Sequence, residues 1–475
     1  MSGKSREPKG LSRRQILKAA GIAAAGLATG GLGALLSACS KPSPAPAGGG
    51  GAASGAATGA AAGSAPAVTG LAKPKLRIWL FKSFVTKGNE ILEKQIRTWA
   101  EKKNVDVEIE FSTFNDIFTK YAAAIEAGNP PDLGELDAVA PVRYKGMGQL
   151  LEVDDVLARV LEKNKGFTSD ERVNLMVKFD GKYWAVPRYS MLSMFYYRQD
   201  LLAEKNLQPP KTWDEVVEVA KKVQDPAKGI YGFGQTLNRS FDGDDFMMAI
   251  MWSHGASWVK EDGKTLTFDT PETRQALQYA VDLFLKHQVE PPGAAGWTDA
   301  NNNEAWLAGK IAMTNNGASI YYALVSQKHE LAGKTRLSVT PAGPKGNFTA
   351  DNSWNFGIFK KTQHPDLCKD LIEYIMSPEQ WKEYMTNSIG QAAPLYKLHA
   401  EDPYWKTDPN FEAIMQNGMY ARLPGYPGPI TAAAAEVRAQ HVLTDMASSV
   451  LQGTPIDQAI QAAKRKIESI YKAVG

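Results

Sequence analysis

The order of apolar and polar residues from Lys75 onward predicts alternating strands and helices. KLRIWLF (75–81) is an apolar run typical of a strand, and residues 88–103 repeat apolar side chains at helical spacing. VDVEIEF (105–111) alternates strictly, which predicts a half-buried strand. Strand, helix and strand in succession predict a parallel pair joined by a right-handed crossover.

The alternation continues beyond this unit and indicates an α/β fold. Further helices are predicted at 114–127 and through the C-terminal part from 430 to 474. Extended segments are predicted at 132–136, 183–187, 194–198, 337–341 and 356–359. Capping boxes at Thr212–Glu215 and Ser377–Gln380, and the pairs Thr270-Pro271 and Thr454-Pro455, are typical of helix starts.

The N-terminal region has the charge pattern of an export signal. Basic residues precede an uncharged, Ala- and Gly-rich stretch over 19–36, a pattern that favours a signal peptide over a membrane-spanning helix. The tetrapeptide that ends at Cys39 resembles a bacterial lipobox, so residues 1–38 are predicted to be removed and Cys39 to be lipidated. The segment 12–18 resembles a twin-arginine export motif, and export by either route stays open.

Composition narrows the class of protein. Residues 39–73 form a low-complexity stretch that predicts a disordered linker, and the remaining chain of roughly 400 residues predicts two lobes. No basic stripe with interleaved aromatics is present, which excludes nucleic acid as the expected partner. Two cysteines exclude a disulfide framework, and Cys368 is expected to be buried and inert.

No established catalytic or metal-binding motif is found, so we predict neither an enzyme, nor a metal site, nor a cofactor. The segment SFDGDDF, with Asp242, Asp244 and Asp245, misses the spacing of a calcium loop. We expect an acidic turn that caps a helix starting near Phe246.

Seven short segments occur in one order, and together they resemble the family 1 extracellular solute-binding proteins, the sugar-binding receptors of ABC importers. They are NPPD (129–132), GKYWAVP (181–187), FYYRQDLL (195–202), PPKTWDE (209–215), EAWLAGKIAM (304–313), WNFGI (354–358) and SPEQ (377–380).

The resemblance implies two lobes, a ligand cleft between them and a hinge that the chain crosses several times. We place the crossings near 188–193, 337–341 and 391–395. Lobe 1 is then expected to comprise 74–188 plus 342–392, and lobe 2 to comprise 193–338 plus 396–475. The implied protein is a monomer, lipid-anchored outside the cell membrane, that passes a carbohydrate to the permease subunits of an ABC importer by hinge closure.

Ligand-binding residues are expected where strands and loops meet the cleft, because open α/β sheets bind ligands at the carboxyl ends of their strands. Aromatic rings cover the apolar faces of sugars, and Asp, Asn and Arg hold hydroxyls. The expected residues are Phe84, Asp137, Tyr189, Asn238, Arg239, Trp297, Asn316, Ser319, Asn352, Trp354 and Tyr426.

Two alternatives stay open. The same fold could bind a non-sugar solute, such as a glycerol phosphodiester or a polyamine, and Lys82, Arg188 and Arg239 together would favour an anion. An anchored glycoside hydrolase needs only two carboxylates, and no such pair is marked in the sequence.

Overall fold

The computed structural model describes residues 73–474, apart from the side chains of residues 114 and 115. The predicted signal peptide, the lipidation site at Cys39 and the linker to residue 72 lie outside the described residues. The described residues form one compact unit.

The strands run in chain order as follows: β1 (Lys75–Phe81), β2 (Asp106–Ser112), β3 (Leu133–Leu136), β4 (Lys178–Phe179), β5 (Lys182–Tyr183), β6 (Val186–Tyr189), β7 (Met194–Arg198), β8 (Met313–Asn316), β9 (Thr335–Ser338), β10 (Ala342–Gly343), β11 (Gly346–Asn347), β12 (Thr349–Ala350), β13 (Trp354–Ile358) and β14 (Ala421–Arg422).

The α-helices are α1 (Thr86–Lys103), α2 (Phe114–Glu126), α3 (Ala140–Gly146), α4 (Asp154–Lys163), α5 (Asp170–Val177), α6 (Gln199–Glu204), α7 (Trp213–Val223), α8 (Phe241–His254), α9 (Pro271–Leu285), α10 (Asn301–Leu307), α11 (Ser319–Ser326), α12 (Pro365–Ile375), α13 (Pro378–Asn387), α14 (Lys397–Ala400), α15 (Pro409–Asn417), α16 (Ala432–Ala439), α17 (Val442–Leu451) and α18 (Ile456–Val474). Short 3₁₀ turns lie at Pro226–Lys228, Ala294–Gly296, Ala332–Lys334, Pro403–Lys406 and Gly418–Tyr420.

Two sheets organise the molecule. The larger has the order β2-β1-β3-β13-β6, and the smaller has the order β8-β7-β9. β1 pairs in parallel with β2 and β3, which confirms the predicted β-α-β unit. β13 is antiparallel to both β3 and β6, although more than 150 residues separate it from each of them in the chain.

Helices begin at all four of the starts predicted above, and a side-chain cap is present at two of them. Thr212 accepts a hydrogen bond from the Glu215 amide, and Thr270 accepts one from the Thr273 amide. Ser377 precedes α13 but makes no side-chain cap. Trp99, Trp213 and Trp381, which helical periodicity places inside, are all buried, and so is Cys368.

Three short segments, 190–193, 351–353 and 390–394, meet between the two sheets, and we call them the hinge segments. Single bridges join Ser190 to Ala393 and Leu192 to Asp351. The first segment connects β6 of the larger sheet to β7 of the smaller one.

The second crossing differs from the sequence expectation of 337–341. Residues 342–350, expected in lobe 1, contact the elements around the smaller sheet: Ala342 pairs with Thr212, and the Lys345 amide donates to the Ser253 carbonyl. The chain therefore reaches the larger sheet only at β13, because the Pro- and Gly-rich stretch forms a hairpin before it crosses.

The third crossing also lies later in the chain than the sequence analysis expected. Tyr396 donates its hydroxyl to the Pro187 carbonyl, and the His399 ring is 2.7 Å from the Asn164 amide oxygen. Residues 396–399, which we expected to open lobe 2, thus still lie against the larger sheet. α15 is the next element, and it packs on β9 of the smaller sheet.

Candidate ligand-binding cleft

A cleft of about 450 Å³ lies between the two sheets, on one face of the hinge segments. The loop after β1 contributes Lys82, Ser83 and Phe84, β8 of the smaller sheet contributes Asn316, and the start of α11 contributes Ser319. The hinge segments contribute a further row of side chains, namely Met191, Leu192, Ser193, Asn352 and Gln391. The N-terminal end of α8 and the loop before α10 complete the wall with Phe241, Asp242, Asp245, Thr298, Asp299 and Ala300.

Four of the eleven predicted ligand residues line this cleft. Phe84 is 52% exposed, whereas Asn316, Ser319 and Asn352 are nearly buried at its floor. The amide of Asn316 donates to Asn303 at 2.7 Å, and the Ser319 hydroxyl lies 3.3 Å from the Asn316 side-chain oxygen. These hydrogen bonds fix the orientation of two polar groups before any ligand arrives.

Two predicted stacking rings lie in the core instead. Tyr189 is 1% exposed and stacks on Trp381, and Trp354 is 0% exposed and stacks on Phe81 with ring centroids 4.2 Å apart. Each residue belongs to a strand of the larger sheet, and the side chains of that sheet fill its core. The expectation that these rings face the ligand is therefore wrong.

The remaining predicted residues are spread around the cleft. Asp137 and Arg239 line a separate cavity of about 320 Å³ beside it, and Tyr426 lines a cavity behind the hinge. Trp297 is half-buried and packs on the core, while its carbonyl accepts from Thr236. Asn238 is half-buried in the turn before α8, where its carbonyl accepts from Ser240.

The carboxylates of α8 are the largest feature that the sequence did not predict. Ser240 caps this helix by accepting from the Gly243 amide, so α8 begins at Phe241 and not near Phe246. Asp242 and Asp245 therefore lie inside the first two turns and point into the cleft wall. Among the described residues, no cluster of three or more metal-ligating side chains is placed to hold a metal ion.

Asp245 is held by a buried polar cluster. It accepts hydrogen bonds from Ser193 at 3.2 Å and from Asn352, and the Arg438 guanidinium lies 3.2 Å away. Burial raises the pKa of Asp245 to about 6, even though the charge of Arg438 opposes this. The Asp245 carboxyl group thus contacts two hinge segments, through Ser193 and Asn352, and α16, through Arg438.

Asp242 and Asp299 form a carboxyl pair in the cleft. The Asp242 amide donates to Asp299 at 2.9 Å, and the Asp242 carboxylate accepts from Asn302 at 2.7 Å. Burial raises the pKa of both carboxyl groups, and the neighbouring charge of Asp299 raises that of Asp242 further.

The two sides of the cleft touch at its rim. The Tyr322 hydroxyl of α11 accepts from the Lys87 amide at 3.1 Å and lies 3.2 Å from the Thr86 hydroxyl. At a second contact, Arg143 of α3 is 3.3 Å from Glu436 of α16, and the rings of Phe118 and Phe241 stack nearby. The structure thus has contacts that join both sides across the cleft.

The cation content of the cleft decides between ligand classes. Arg188 is fully buried against Glu135, and Arg239 pairs with Asp445 on the surface. Lys82, Arg188 and Arg239 together would have favoured an anionic ligand. Of these three residues, only Lys82 lines the cleft. Among the described residues that line it, three carboxyl groups face this one ammonium group.

A few of the missed residues carried a sequence signal. Gln391 falls in the segment 391–395 that we expected at the hinge. Thr298 and Asp299 follow Trp297 directly, so the loop was identified but the residue within it was not. Thr113 and Phe241 had no signal, because their positions depend on how the two sheets meet.

Comparison with known proteins places the chain in a family. The family model for the bacterial extracellular solute-binding protein matches residues 84–381. The arabinooligosaccharide-binding protein of Halalkalibacterium halodurans is 24% identical over 346 residues, which cover 70% of this chain and 74% of that protein. The diacetylchitobiose-binding protein DasA of Streptomyces coelicolor is 23% identical over 58% of this chain and 63% of its own length.

Solved structures share the fold. A maltose-bound protein of T. maritima superposes with a TM-score of 0.73 at 25% identity and covers 83% of this chain and 99% of its own. A sugar transporter protein from Arthrobacter chlorophenolicus with bound laminaribiose gives a TM-score of 0.74 at 19% identity, over 83% and 99%. The matched family model covers more than half of the sequence, and the chain belongs to the bacterial extracellular solute-binding protein family.

Proposed function

We propose that this protein is the substrate-binding receptor of an ABC importer and that its ligand is a neutral di- or oligosaccharide bound in the cleft. The observation that carries the proposal is the wall chemistry: an exposed Phe84 ring faces a floor of amide, hydroxyl and carboxyl groups. An aromatic ring covers the C–H face of a sugar, and polar groups of this kind bind its hydroxyls.

The size of the cleft agrees with such a ligand. Its volume of about 450 Å³ lies within the usual range of roughly 300–1,000 Å³ for small-molecule sites. The relatives named above bind arabino-oligosaccharides and diacetylchitobiose, and the two similar structures hold maltose and laminaribiose. Disaccharides and short oligosaccharides recur among them, which supports the same class here.

The charge of the cleft argues against an anionic ligand. Asp242, Asp245 and Asp299 line it, and Lys82 is the one cation among the described lining residues. A phosphodiester would meet repulsion where these carboxyls are ionised, whereas a sugar hydroxyl can donate to them or accept from a protonated one. A polyamine would be attracted, so it belongs in the test below.

We infer that ligand capture proceeds by closure of two lobes. The contacts support a lobe 1 of residues 74–189 with 354–406 and a lobe 2 of residues 194–350 with 407–474. In this division the second and third crossings lie later in the chain than the sequence analysis expected. The rim contact of Tyr322 with α1 would form on closure, and the hinge segments would absorb the rotation.

The cellular setting rests on the N-terminal sequence. We propose that the chain is exported, lipidated at Cys39 and anchored at the outer face of the cell membrane, where a monomer delivers sugar to the permease subunits. The described residues contribute one observation, since no helix among them is both long and apolar enough to span a bilayer.

A glycoside hydrolase is the second candidate, because the cleft does contain the carboxyl pair Asp242 and Asp299. The arrangement does not favour it: Asp299 accepts from the Asp242 amide, and the Asp242 carboxylate accepts from Asn302. Both groups are thus engaged in holding the N-terminal end of α8. We therefore propose binding without turnover.

The test is the melting temperature of the purified protein against neutral oligosaccharides, glycerol phosphodiesters and polyamines, followed by chromatography of each ligand that stabilises it. A ligand at about a hundred times its Kd adds roughly 2.7 kcal/mol to the free energy of unfolding, which raises Tm by a few degrees. Stabilisation by a neutral oligosaccharide that is recovered intact is the expected result. Stabilisation only by an anion or a polyamine would refute the sugar assignment, and cleavage products would identify an enzyme.

A further inference from the structure

A second cavity of about 570 Å³ lies on the opposite face of the hinge segments from the cleft. Ser190, Ala393 and Pro394 line it, whereas Met191, Ser193 and Gln391 line the cleft. Successive side chains of an extended segment point to opposite sides. Two hinge segments, 190–193 and 390–394, thus line both sites, and we call this second site the hinge cavity.

The two walls of the hinge cavity come from different lobes. One wall is α5, with Arg172 and Leu175, and the other is the stretch from Ile414 to Ile430, with Met415, Met419 and Arg422. Arg172 donates to the Gly418 carbonyl at 3.2 Å across the floor. A molecule in this cavity would touch both lobes and the hinge.

The walls contain apolar as well as polar side chains, and part of the apolar surface is exposed. Seven large hydrophobic side chains are exposed among the described residues, and Leu175 at 40% and Met419 at 66% are two of them. These two face the same cavity from opposite walls. Burial of such surface by an apolar group contributes about 25 cal/mol per Å².

The charged side chains of the hinge cavity indicate which charge a bound molecule would carry. Arg172 is 3.5 Å from the buried Asp351 carboxylate, so its charge is compensated. Arg422 donates to the carbonyls of Met419 and Ala421, and within the described residues no carboxylate lies within 4 Å of it. Glu171 also lines the cavity, but it is exposed at the edge and pairs with neither arginine.

We propose that the hinge cavity is a second binding site, which takes a small amphiphile with an apolar chain and a single anionic group. The chain lies between Leu175 and Met419, and the anionic group accepts hydrogen bonds from Arg422. This site is separate from the sugar cleft and does not depend on the proposed sugar function.

Occupancy of the hinge cavity is coupled to the cleft. Two lobes that rotate about a hinge close on one face as they separate on the other, so a molecule that holds α5 and the 414–430 stretch apart favours the closed cleft. A ligand shifts such an equilibrium by its differential affinity for the two states, and the effect is reciprocal. The amphiphile therefore raises sugar affinity, and sugar raises amphiphile affinity.

Methionine methyl NMR separates the two sites, because Met415 and Met419 line the hinge cavity and Met191 lines the cleft. The protein carries ¹³C-methyl methionine, and Met→Leu substitutions assign the three signals. Sodium octanoate is the probe, with acetate and 1-octanol as controls for the charge and the chain alone. Octanoate is expected to shift Met415 and Met419 with a saturable curve, and both controls are expected to bind much more weakly.

Two variants test the chemistry. Arg422→Gln removes a guanidinium that has no carboxylate partner among the described residues, and it is expected to weaken octanoate binding about tenfold or more. Gly418→Leu places a side chain into the cavity without backbone strain, since its φ is −57° and its Cβ would meet Leu192 at 3.7 Å and Arg172 at 3.9 Å. This variant is expected to abolish the octanoate shifts. The matched control is Arg465→Gln on the exposed face of α18, which should change nothing.

The proposal is overturned if octanoate leaves Met415 and Met419 unshifted, if 1-octanol binds as tightly, or if Arg422→Gln binds octanoate like the wild type. Shifts of Met191 on addition of a sugar report the cleft separately. Failure at one site is thereby distinguishable from failure at the other.

Discussion

The Arg438 guanidinium lies 3.2 Å from the Asp245 carboxylate, and both side chains are almost completely buried, at 4% and 2% exposure. Arg438 belongs to α16 of lobe 2, and its other terminal nitrogen is 3.9 Å from Asp137 of lobe 1. Asn352, in a hinge segment, bridges the pair. One guanidinium therefore contacts both lobes and the hinge beside the ligand cleft.

Arg438→Met is expected to destabilise the protein because it leaves Asp245 buried without its counter-charge. Removal of one partner of a buried ion pair costs about 3 kcal/mol in free energy of unfolding. Urea unfolding measures this loss. Arg438→Met combined with Asp245→Asn should recover part of it, and equal losses in the single and double variants would show that the pair is not coupled.

The pH dependence of stability follows from the raised pKa of Asp245. Its pKa is about 6 in the folded protein against an ordinary value of 3.8, so the folded state binds the proton more tightly. The contribution of this proton binding to the free energy of unfolding is complete below about pH 4. It amounts to roughly 3 kcal/mol at most and is lost as the pH rises through 6.

Asp245→Asn should therefore flatten the rise in unfolding free energy that accompanies acidification from pH 7 to 4. Urea unfolding of both proteins at a series of pH values measures the slope. A wild-type protein that becomes steadily less stable over this interval, with the same slope in the variant, would contradict the assignment.

Phe84→Ala is expected to weaken sugar binding about tenfold, since an aromatic contact contributes roughly 1 kcal/mol beyond the apolar area that it buries. The ring is 52% exposed, so the melting temperature of the free protein should hardly change. Leu285→Ala is the matched control, because Leu285 is 53% exposed on α9 and does not line the cleft. Calorimetric titration compares the three proteins, and equal affinities would remove Phe84 from the site.

Tyr322→Phe removes the hydroxyl that contacts Lys87 and Thr86 across the rim. Each of the two hydrogen bonds contributes about 1 kcal/mol, so the variant should bind sugar up to roughly thirtyfold more weakly. The loss arises from a less favourable closed state, and small-angle scattering of the sugar-saturated protein should show a larger radius of gyration. Unchanged affinity would mean that the contact does not form part of closure.

Arg239→Gln is expected to leave sugar affinity unchanged within about twofold. Arg239 pairs with Asp445 at the surface, where the two side chains are 63% and 44% exposed, and exposed pairs contribute little. The sequence pattern had placed Arg239 at the ligand. A large loss of affinity in titration calorimetry would restore that role.

The strands of the larger sheet show that local sequence predicts the bounds of a strand but not its position in the sheet. β1 has the bounds that KLRIWLF predicted, because an apolar run next to turn residues specifies a buried strand by itself. The position of β13 between β3 and β6 could not be predicted, since it depends on contacts between segments far apart in the chain. The misplacement of Trp354 follows: one residue into β13, its ring packs on Phe81 and does not face the ligand.

The ligand site was predictable where a polar residue follows a strand or lies in a hinge segment, as with Asn316 and Asn352. It was not predictable for Asp245, because SFDGDDF resembles a turn until Ser240 is seen to start the helix five residues earlier. Propensity could not resolve this, since Asp and Gly disfavour helix interiors and tertiary burial overrides that preference. The acidic character of the cleft therefore emerged only from the structure.

The most direct test of the sugar assignment is calorimetric titration of the wild-type protein with the neutral oligosaccharide that stabilises it and with a corresponding uronic acid. The two ligands share the same rings and differ by one carboxylate in place of a primary alcohol. We predict one saturable site for the neutral sugar and at least about tenfold weaker binding of the acid, because charge–charge repulsion in a partly buried site exceeds roughly 1.4 kcal/mol. Equal or tighter binding of the acid would contradict the account of Asp242, Asp245 and Asp299 as a site for neutral hydroxyls.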